Sequence, residues 1–143
     1  MTNLQAALGI AQLERLDEFV ARKKRMGRYY TELLSDLRNL ELPLAKTSYA
    51  ENIYWVYGVV LKSSVGFGAD ECMKKLSDAG IGARPFFFGM HEQPVFRRMG
   101  LFKNEKYPVA QRLSRRGFYL PSGMALTRRQ TRRAADILRK IVS

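Results

Sequence analysis

Residues 53–61, with the sequence IYWVYGVVL, decide how the chain folds. This stretch is rich in aromatic and β-branched residues and contains no charged side chain, which is typical of a buried strand. Working outward, the composition predicts two more short strands, at Ile81–Phe86 and Phe118–Leu120. Helices are predicted between the strands, from about Ala69 to Ala79 and from about Pro108 to Arg116.

A last helix follows the third strand. It begins with a capping box formed by Thr127 and Gln130, because a Thr followed three residues later by Gln satisfies two orphan amides of a helix start. Its expected apolar face consists of Ala134, Ile137, Leu138 and Ile141. Strands and helices therefore alternate, which indicates an α/β (α+β) fold with a small three-stranded sheet and helices packed mainly on one face.

The N-terminal third predicts one long helix from about Asn3 to Leu37, opened by a capping box of Thr2 and Gln5. Such a helix would be about 50 Å long, whereas a compact body of this size has a diameter near 37 Å. We therefore expect the helix to overhang or to bend, with Gly9 and Gly27 as the weak points.

The start of this helix, residues 4–16, carries an apolar stripe for which the chain offers no obvious cover. We expect a neighbouring domain or a second subunit to pack on it. The sequence thus divides into an interdomain-type helix, residues 1–37, and a small C-terminal α/β domain, residues 38–143.

Composition excludes several classes of protein. The chain has 143 residues, 46% hydrophobic and 27% charged, which fits one globular domain and excludes a disordered chain. Cys72 is the single cysteine, so there is no disulfide framework, and we expect a reducing, cytoplasmic environment. No uncharged stretch approaches the roughly 20 residues of a membrane span, and the start lacks the pattern of a signal peptide.

The net charge is +12, from 25 Lys and Arg against 13 Asp and Glu. Basic residues cluster in 22–28 and again in 112–140, which points to anionic partners. Two interpretations stay open: solvated helix faces, or binding to nucleic acid. Nucleic acid is the less favoured partner because no recognised reading motif accompanies the charge.

A search for catalytic chemistry finds neither of the Gly-rich phosphate motifs. The single histidine, His91, excludes a metal site with two His ligands. It lies in RPFFFGMHEQP, residues 84–94, which has two interpretations. Either the Phe residues fill the core and His91 completes a loop, or the loop presents Arg84 and His91 to an anionic or hydroxylated ligand.

Four blocks, in order, resemble one family: the DegT/StrS-type nucleotide-sugar aminotransferases, and most closely their perosamine-synthase branch. The blocks are MTNLQAALGIAQLERLDEF, NIYWVYGVVL, GIGARPFFFGMHEQPVF and YLPSGMALTRRQ. The resemblance covers nearly the whole chain, and the four blocks are similar to the C-terminal region of these proteins.

The resemblance implies the small domain of an aspartate-aminotransferase fold in a homodimeric enzyme that uses pyridoxal phosphate. Such enzymes move an amino group from glutamate to a nucleotide-linked 4-keto sugar, as in perosamine-type and O-antigen sugar biosynthesis. By resemblance, the residues that face the substrate are Arg84, Phe86, Phe88 and His91.

The same resemblance implies that the catalytic machinery lies outside the matched blocks. The Schiff-base lysine and the carboxylate that pairs with the pyridine nitrogen belong to the large domain, and Lys62, Lys74 and Lys75 stand in no matching motif. We therefore expect no catalytic residue and no bound cofactor in this chain alone, which would be a truncated product, an excised piece or one part of a split enzyme.

The alternative is a non-catalytic basic domain that binds nucleic acid or serves as an assembly partner. One feature has no counterpart in the resemblance: TRRQTRR, residues 127–133, places four Arg in the first two turns of the last helix. These charges oppose the helix macrodipole, and a bound anion would explain them.

Overall fold

A computed structural model describes residues 1–143. In chain order the elements are α1 (Asn3–Leu13), α2 (Leu16–Leu34), β1 (Leu40–Glu41), β2 (Tyr57–Leu61), α3 (Ala69–Asp78), β3 (Arg84–Pro85), a 3-10 turn (Met90–Glu92), α4 (Pro94–Arg98), α5 (Pro108–Arg116), β4 (Gly117–Leu120) and α6 (Arg128–Val142). The strands form one antiparallel sheet in the order β1-β2-β4-β3. The predicted α/β (α+β) class is confirmed, with a fourth strand that the sequence did not predict.

The extra strand, β1, pairs Leu40 with Leu61 and Glu41 with Val60. A strand of two residues is too short to show a period of two in its sequence, so no pattern could reveal it. The sheet edge formed by β1 is therefore set by the pairing with β2 and not by a local signal.

Two predicted strands are shorter in the structure because the backbone leaves the extended conformation. The expected strand 53–61 starts only at Tyr57, since Tyr54 has a φ of 54° and its amide donates to Asn52 Oδ1 at 2.7 Å. The expected strand 81–86 keeps only β3, where Pro85 has no amide hydrogen to donate.

One face of the sheet forms the core. Alternate side chains of β2 and β4 point to this face and are buried: Tyr57, Val59, Leu61, Phe118 and Leu120. Helices α2, α3 and α6 cover it with Tyr30, Leu34, Cys72, Leu76, Ala134 and Leu138. This confirms the expected one-sided packing. The boundary between 1–37 and 38–143 stays a prediction, although α2 contributes to this same core.

Three tyrosines connect α2 to the start of β2. The ring of Tyr57 stacks on Tyr30 at 4.8 Å and on Tyr54 at 6.0 Å between centroids. The Tyr54 ring lies directly against the backbone of Gly27 in α2. A glycine is required there because a side chain would overlap the ring.

Phe86 covers the opposite face of the sheet. Its ring lies 4.6 Å from that of Tyr119, and a Cβ atom at Gly58 would come within 2.8 Å of Phe86 Cζ. Gly117 leaves the same kind of space on the neighbouring strand. The glycines of the two central strands thus leave the space in which the Phe86 ring packs on the sheet.

The local helix signals are confirmed. Both capping boxes form, at the starts of α1 and α6, and α5 has the predicted bounds. Helix α3 ends one residue earlier than expected, where Gly80 has a φ of 76° and the Ile81 amide donates to Leu76 O at 2.9 Å. This is the left-handed glycine cap that the sequence indicates.

The prediction of one helix over 3–37 is wrong. The chain is interrupted at Glu14 and Arg15, while the helices run unbroken through Gly9 and Gly27. The Arg15 amide donates to Gln12 O at 3.2 Å, a tightened turn that ends the α-helical hydrogen-bond ladder. No residue of α1 is buried, so packing does not hold α1 in line with α2.

Helix α1 exposes a row of leucines. These are Leu4, Leu8, Leu13 and Leu16, the last at the start of α2. None of the helices has both the length and the apolar character required to cross a membrane. Because its four leucines are exposed, the row is an uncovered apolar surface on this chain.

The glycine of α2 gives the first prediction. Gly27→Ala should lower the free energy of unfolding by about 1–3 kcal/mol, because the added methyl overlaps the Tyr54 ring. Gly9→Ala is the matched control: nothing lies within 4 Å of its added methyl, so it should raise stability by up to about 1 kcal/mol. Urea unfolding followed by circular dichroism measures both. Equal effects of the two substitutions would contradict the packing described.

The leucine row gives the second prediction. The chain should self-associate in sedimentation at high concentration, and Leu8→Glu with Leu13→Glu should reduce the oligomer while leaving the melting temperature unchanged. The control pair, Leu44→Glu with Val109→Glu, adds the same charge at exposed positions elsewhere and should leave the oligomer intact. A monomeric unmodified chain would contradict the prediction.

Candidate functional site

A cleft of about 420 Å³ lies where β2 begins, β4 ends and β3 forms the edge of the sheet. Arg84 reaches it from the edge strand, where it is paired with Tyr119. Trp55, which precedes β2 and is 70% exposed, and the loop 121–123, which follows β4, complete its walls.

The loop after β4 is fastened to its surroundings by hydrogen bonds. Ser122 Oγ accepts from the Tyr57 amide at 2.9 Å and donates to Leu120 O at 2.7 Å. The Tyr30 hydroxyl donates to Pro121 O at 3.0 Å. The loop is thereby held against both α2 and the end of the sheet.

Lys23 of α2 joins the two loops of the cleft. Its Nζ donates to Trp55 O at 2.8 Å and also to Ser122 O. Burial lowers the pKa of Lys23 from its ordinary value. The ammonium therefore lies under the cleft as a support and is not free to contact a ligand.

Arg84 is the free cation of this cleft. It is exposed and takes part in none of the ion pairs of the chain. Its neighbour Trp55 presents an exposed indole. A cleft lined by both a guanidinium and an indole can bind a phosphate group with one and pack a planar ring on the other.

His91 lies in a different place, on the 3-10 turn. It is only 8% exposed, its ring lies 4.8 Å from that of Tyr107, and a Cβ at Gly89 would come within 2.6 Å of it. Its Nε2 atom is buried and has no hydrogen-bond partner. His91 borders a second cleft, of about 290 Å³, together with Arg97 and four residues of 101–105 and Gln111.

Phe86 and Phe88 line neither cleft. Phe86 is packed on the sheet, and Phe88 is half exposed under the guanidinium of Arg115 at 4.9 Å. Arg115 also forms an ion pair with the buried Glu92 at 2.6 Å. The second Phe of the run, Phe87, is 82% exposed.

The structure therefore does not bring the four predicted residues into one cavity. Arg84 shares its cleft with Trp55, Tyr119 and Ser122, which the sequence did not single out as site residues. Trp55 lies in a stretch that the sequence predicts as a buried strand, and Ser122 belongs to the LPSG block, so neither pattern indicates a site residue. The assignment of Arg84, Phe86, Phe88 and His91 to a substrate site remains a prediction.

No metal centre or activated thiol competes with this cleft. No group of three or more His, Cys, Asp or Glu side chains is placed to hold a metal ion. Burial raises the pKa of the Cys72 thiol to about 11, so this cysteine is protonated at neutral pH.

Comparison with known families and proteins gives a consistent result. The model of the DegT/DnrJ/EryC1/StrS aminotransferase family matches residues 1–139. GDP-perosamine synthase of Caulobacter vibrioides is 32% identical over 127 residues, covering 89% of this chain and 33% of that protein. GDP-perosamine synthase of Vibrio cholerae is 30% identical over 140 residues, covering 97% and 37% respectively. The chain spans about a third of the length of the curated relatives it matches.

Solved structures show the same partial coverage. The crystal structure of DesI in the presence of its TDP-sugar product is similar with a TM-score of 0.84 and 28% identity, covering 96% of this chain and 34% of DesI. The sugar aminotransferase Spr1654 of Streptococcus pneumoniae in its PMP form has a TM-score of 0.88 at 20% identity, covering 99% and 35%, and supports the fold alone.

The two clefts give the third prediction. His91→Ala should lower the free energy of unfolding by about 1–3 kcal/mol, since it empties a buried position packed on Tyr107. Arg84→Ala should change it by less than about 0.5 kcal/mol, because the side chain is exposed and unpaired. Denaturant unfolding of this chain checks both. A larger loss for Arg84→Ala than for His91→Ala would contradict the placement of the two residues.

Proposed function

The chain belongs to the DegT/DnrJ/EryC1/StrS aminotransferase family, and we propose that it is the C-terminal domain of an enzyme that transfers an amino group from glutamate to a nucleotide-linked 4-keto sugar. The family match over residues 1–139 supports the class of reaction. The similarity to GDP-perosamine synthases supports an amino sugar of the perosamine type. Because the chain spans a third of these relatives, the activity is that of the complete protein.

The observation that carries the proposal is the cleft of Arg84. A nucleotide sugar has an anionic diphosphate and a planar base, and this cleft pairs an unengaged guanidinium with an exposed indole. Arg84 would bind a phosphate oxygen, and Trp55 would pack on the base or the sugar. The support of both loops by Lys23 would keep the cleft in shape before the ligand arrives.

The other predicted site residues act from further away in this proposal. Phe86 fixes the position of the edge strand through its seat on Gly58 and Tyr119. His91 keeps an unused hydrogen-bonding atom, Nε2, for the substrate or for the complete protein. Phe88 orients Arg115 beside the same segment.

We infer that pyridoxal phosphate is not attached in the Arg84 cleft, because none of the residues that line this cleft is a lysine. Covalent attachment needs an amine that is free to form an imine. The half-buried Lys23 donates to two backbone carbonyls, and Lys24 and Lys75 are ion-paired with Glu51 and Glu71. We therefore place the cofactor of the complete enzyme in the part of the protein outside these residues.

The proposal is tested by a chimera, which is our fourth prediction. This chain should replace the C-terminal third of the Caulobacter enzyme and restore glutamate-dependent amination of a GDP-linked 4-keto sugar, followed by chromatography and mass spectrometry. In the chimera, Arg84→Ala should reduce kcat/KM by about 10-fold to 150-fold, the value of one charged hydrogen bond. Arg98→Ala, at an exposed arginine outside the cleft, should not.

The outcome of the chimera separates two functions. A folded chimera that binds the cofactor but transfers no amino group contradicts the proposal. If the chain instead binds unrelated DNA duplexes with strong dependence on salt, the non-catalytic basic domain is the better description. Gel filtration and the absorbance of the bound cofactor show whether the chimera is assembled.

The cofactor gives the fifth prediction. The isolated chain mixed with pyridoxal phosphate and reduced with borohydride should show only weak, scattered labelling of exposed lysines in peptide maps. The reason is that both half-buried lysines are engaged, Lys23 by Trp55 O and Ser122 O and Lys24 by Glu51, which leaves only lysines on the open surface. Stoichiometric labelling of one lysine would overturn the placement of the cofactor outside this chain.

A further inference from the structure

A third cleft, of about 370 Å³, lies between α2 and the start of α6, and we call it the basic cleft. Five cationic side chains line it: Arg22, Lys23, Arg25, Arg28 and Arg128. Glu32 is its one carboxylate. It meets the Arg84 cleft only at Gly123, so it is a separate place on the surface.

The arginines of the basic cleft have no carboxylate partners. The six ion pairs of the chain involve other cations, and Glu32 takes part in none of them. Like charges this close repel one another, and solvent screening weakens this repulsion less in a cleft than on an open face. A cleft lined by charges of one sign concentrates counter-ions, and this favours a multivalent anion.

The first turns of α6 add to this charge. Arg128 and Arg132 lie over the ring of Tyr29, with guanidinium carbons 4.4 Å and 5.7 Å from its centroid. Of these residues, Tyr29 and Arg128 line the cleft, so the cation–π contact holds the Arg128 guanidinium beside it. The capping box of Thr127 and Gln130 already uses amides of the helix start, so an anion would be held by side chains.

We propose that the basic cleft binds a compact anion with at least two adjacent phosphate groups. Its volume exceeds what one phosphate fills, and several guanidinium groups on its walls suit several phosphate oxygens. Two guanidinium groups already lie over the Tyr29 ring, so a base would have to compete with them for stacking on this ring. The cleft therefore favours a diphosphate over single-stranded nucleic acid. This site goes beyond the proposed function and does not depend on it.

The test is calorimetric titration of the chain with inorganic pyrophosphate, with orthophosphate at equal ionic strength as the comparison. Pyrophosphate should bind one to one and at least about tenfold more tightly, since it engages more guanidinium groups. Amide shifts in NMR spectra should concentrate in residues 22–32 and 123–132. GDP provides a second arm: binding as tight as that of pyrophosphate identifies a nucleotide as the source of the diphosphate, and weaker binding identifies the free anion.

Charge variants show whether the cleft is responsible. Arg25→Gln with Arg128→Gln should weaken pyrophosphate binding by about tenfold or more. Arg38→Gln with Arg98→Gln removes the same charge at exposed positions outside the cleft and should have little effect. Glu32→Gln removes the one carboxylate and should tighten binding, which tests the cleft even if the double variant is unstable.

Three results would overturn the proposal. The first is the absence of saturable pyrophosphate binding by the folded chain. The second is equal weakening by the two arginine pairs, or no tightening by Glu32→Gln. The third is tighter binding of a DNA duplex than of pyrophosphate at equal phosphate concentration, lost in the Arg25 and Arg128 variant, which would assign the cleft to nucleic acid instead.

Discussion

The ammonium group of Lys23 is the interaction on which the functional part of this structure depends. It joins α2 to the segment that leads into β2 and to the loop after β4, through Trp55 O and Ser122 O. Burial lowers the pKa of Lys23, so desolvation offsets part of the gain from these hydrogen bonds, each worth about 1.5–3 kcal/mol. Two clefts depend on this ammonium. The Arg84 cleft is lined by Trp55 and Ser122, and the basic cleft is lined by the side chain of Lys23 itself.

A second property of the chain is that several of its side chains lack a packing, ion-pair or hydrogen-bond partner. Helix α1 buries none of its residues, Arg84 has no ion-pair partner, and Nε2 of His91 is unsatisfied. An exposed apolar surface and a buried polar atom without a hydrogen-bond partner both destabilise the folded chain. They are consistent with a domain that spans a third of its relatives, and they support the proposal that the remaining parts of a sugar aminotransferase complete it.

Local signals predicted the helices well, and long-range contacts explain the errors. The capping boxes and the glycine after α3 act within a few residues, so the bounds of α3 and α5 and the start of α6 agree closely with the prediction. No Gly or Pro lies at the break at Arg15, so the sequence carries no local signal for it. The left-handed conformation of Tyr54, which shortens β2, depends on the packing of its ring against Gly27. The site was predicted in part: Arg84 was found, but its neighbours Trp55, Tyr119 and Ser122 are far apart in the chain and meet only through the fold.

The most direct test of this account is amide hydrogen exchange of the Lys23→Met chain, because Met keeps most of the side-chain volume and removes the donor. If the Lys23 ammonium positions the two loops, the Tyr57 amide, which donates to Ser122 Oγ at 2.9 Å, should exchange much faster in the variant. Amides at the centre of α6, such as that of Leu138, should keep their protection. Unchanged protection of Tyr57 in a folded Lys23→Met chain would show that the two loops are positioned without this ammonium and would contradict the account.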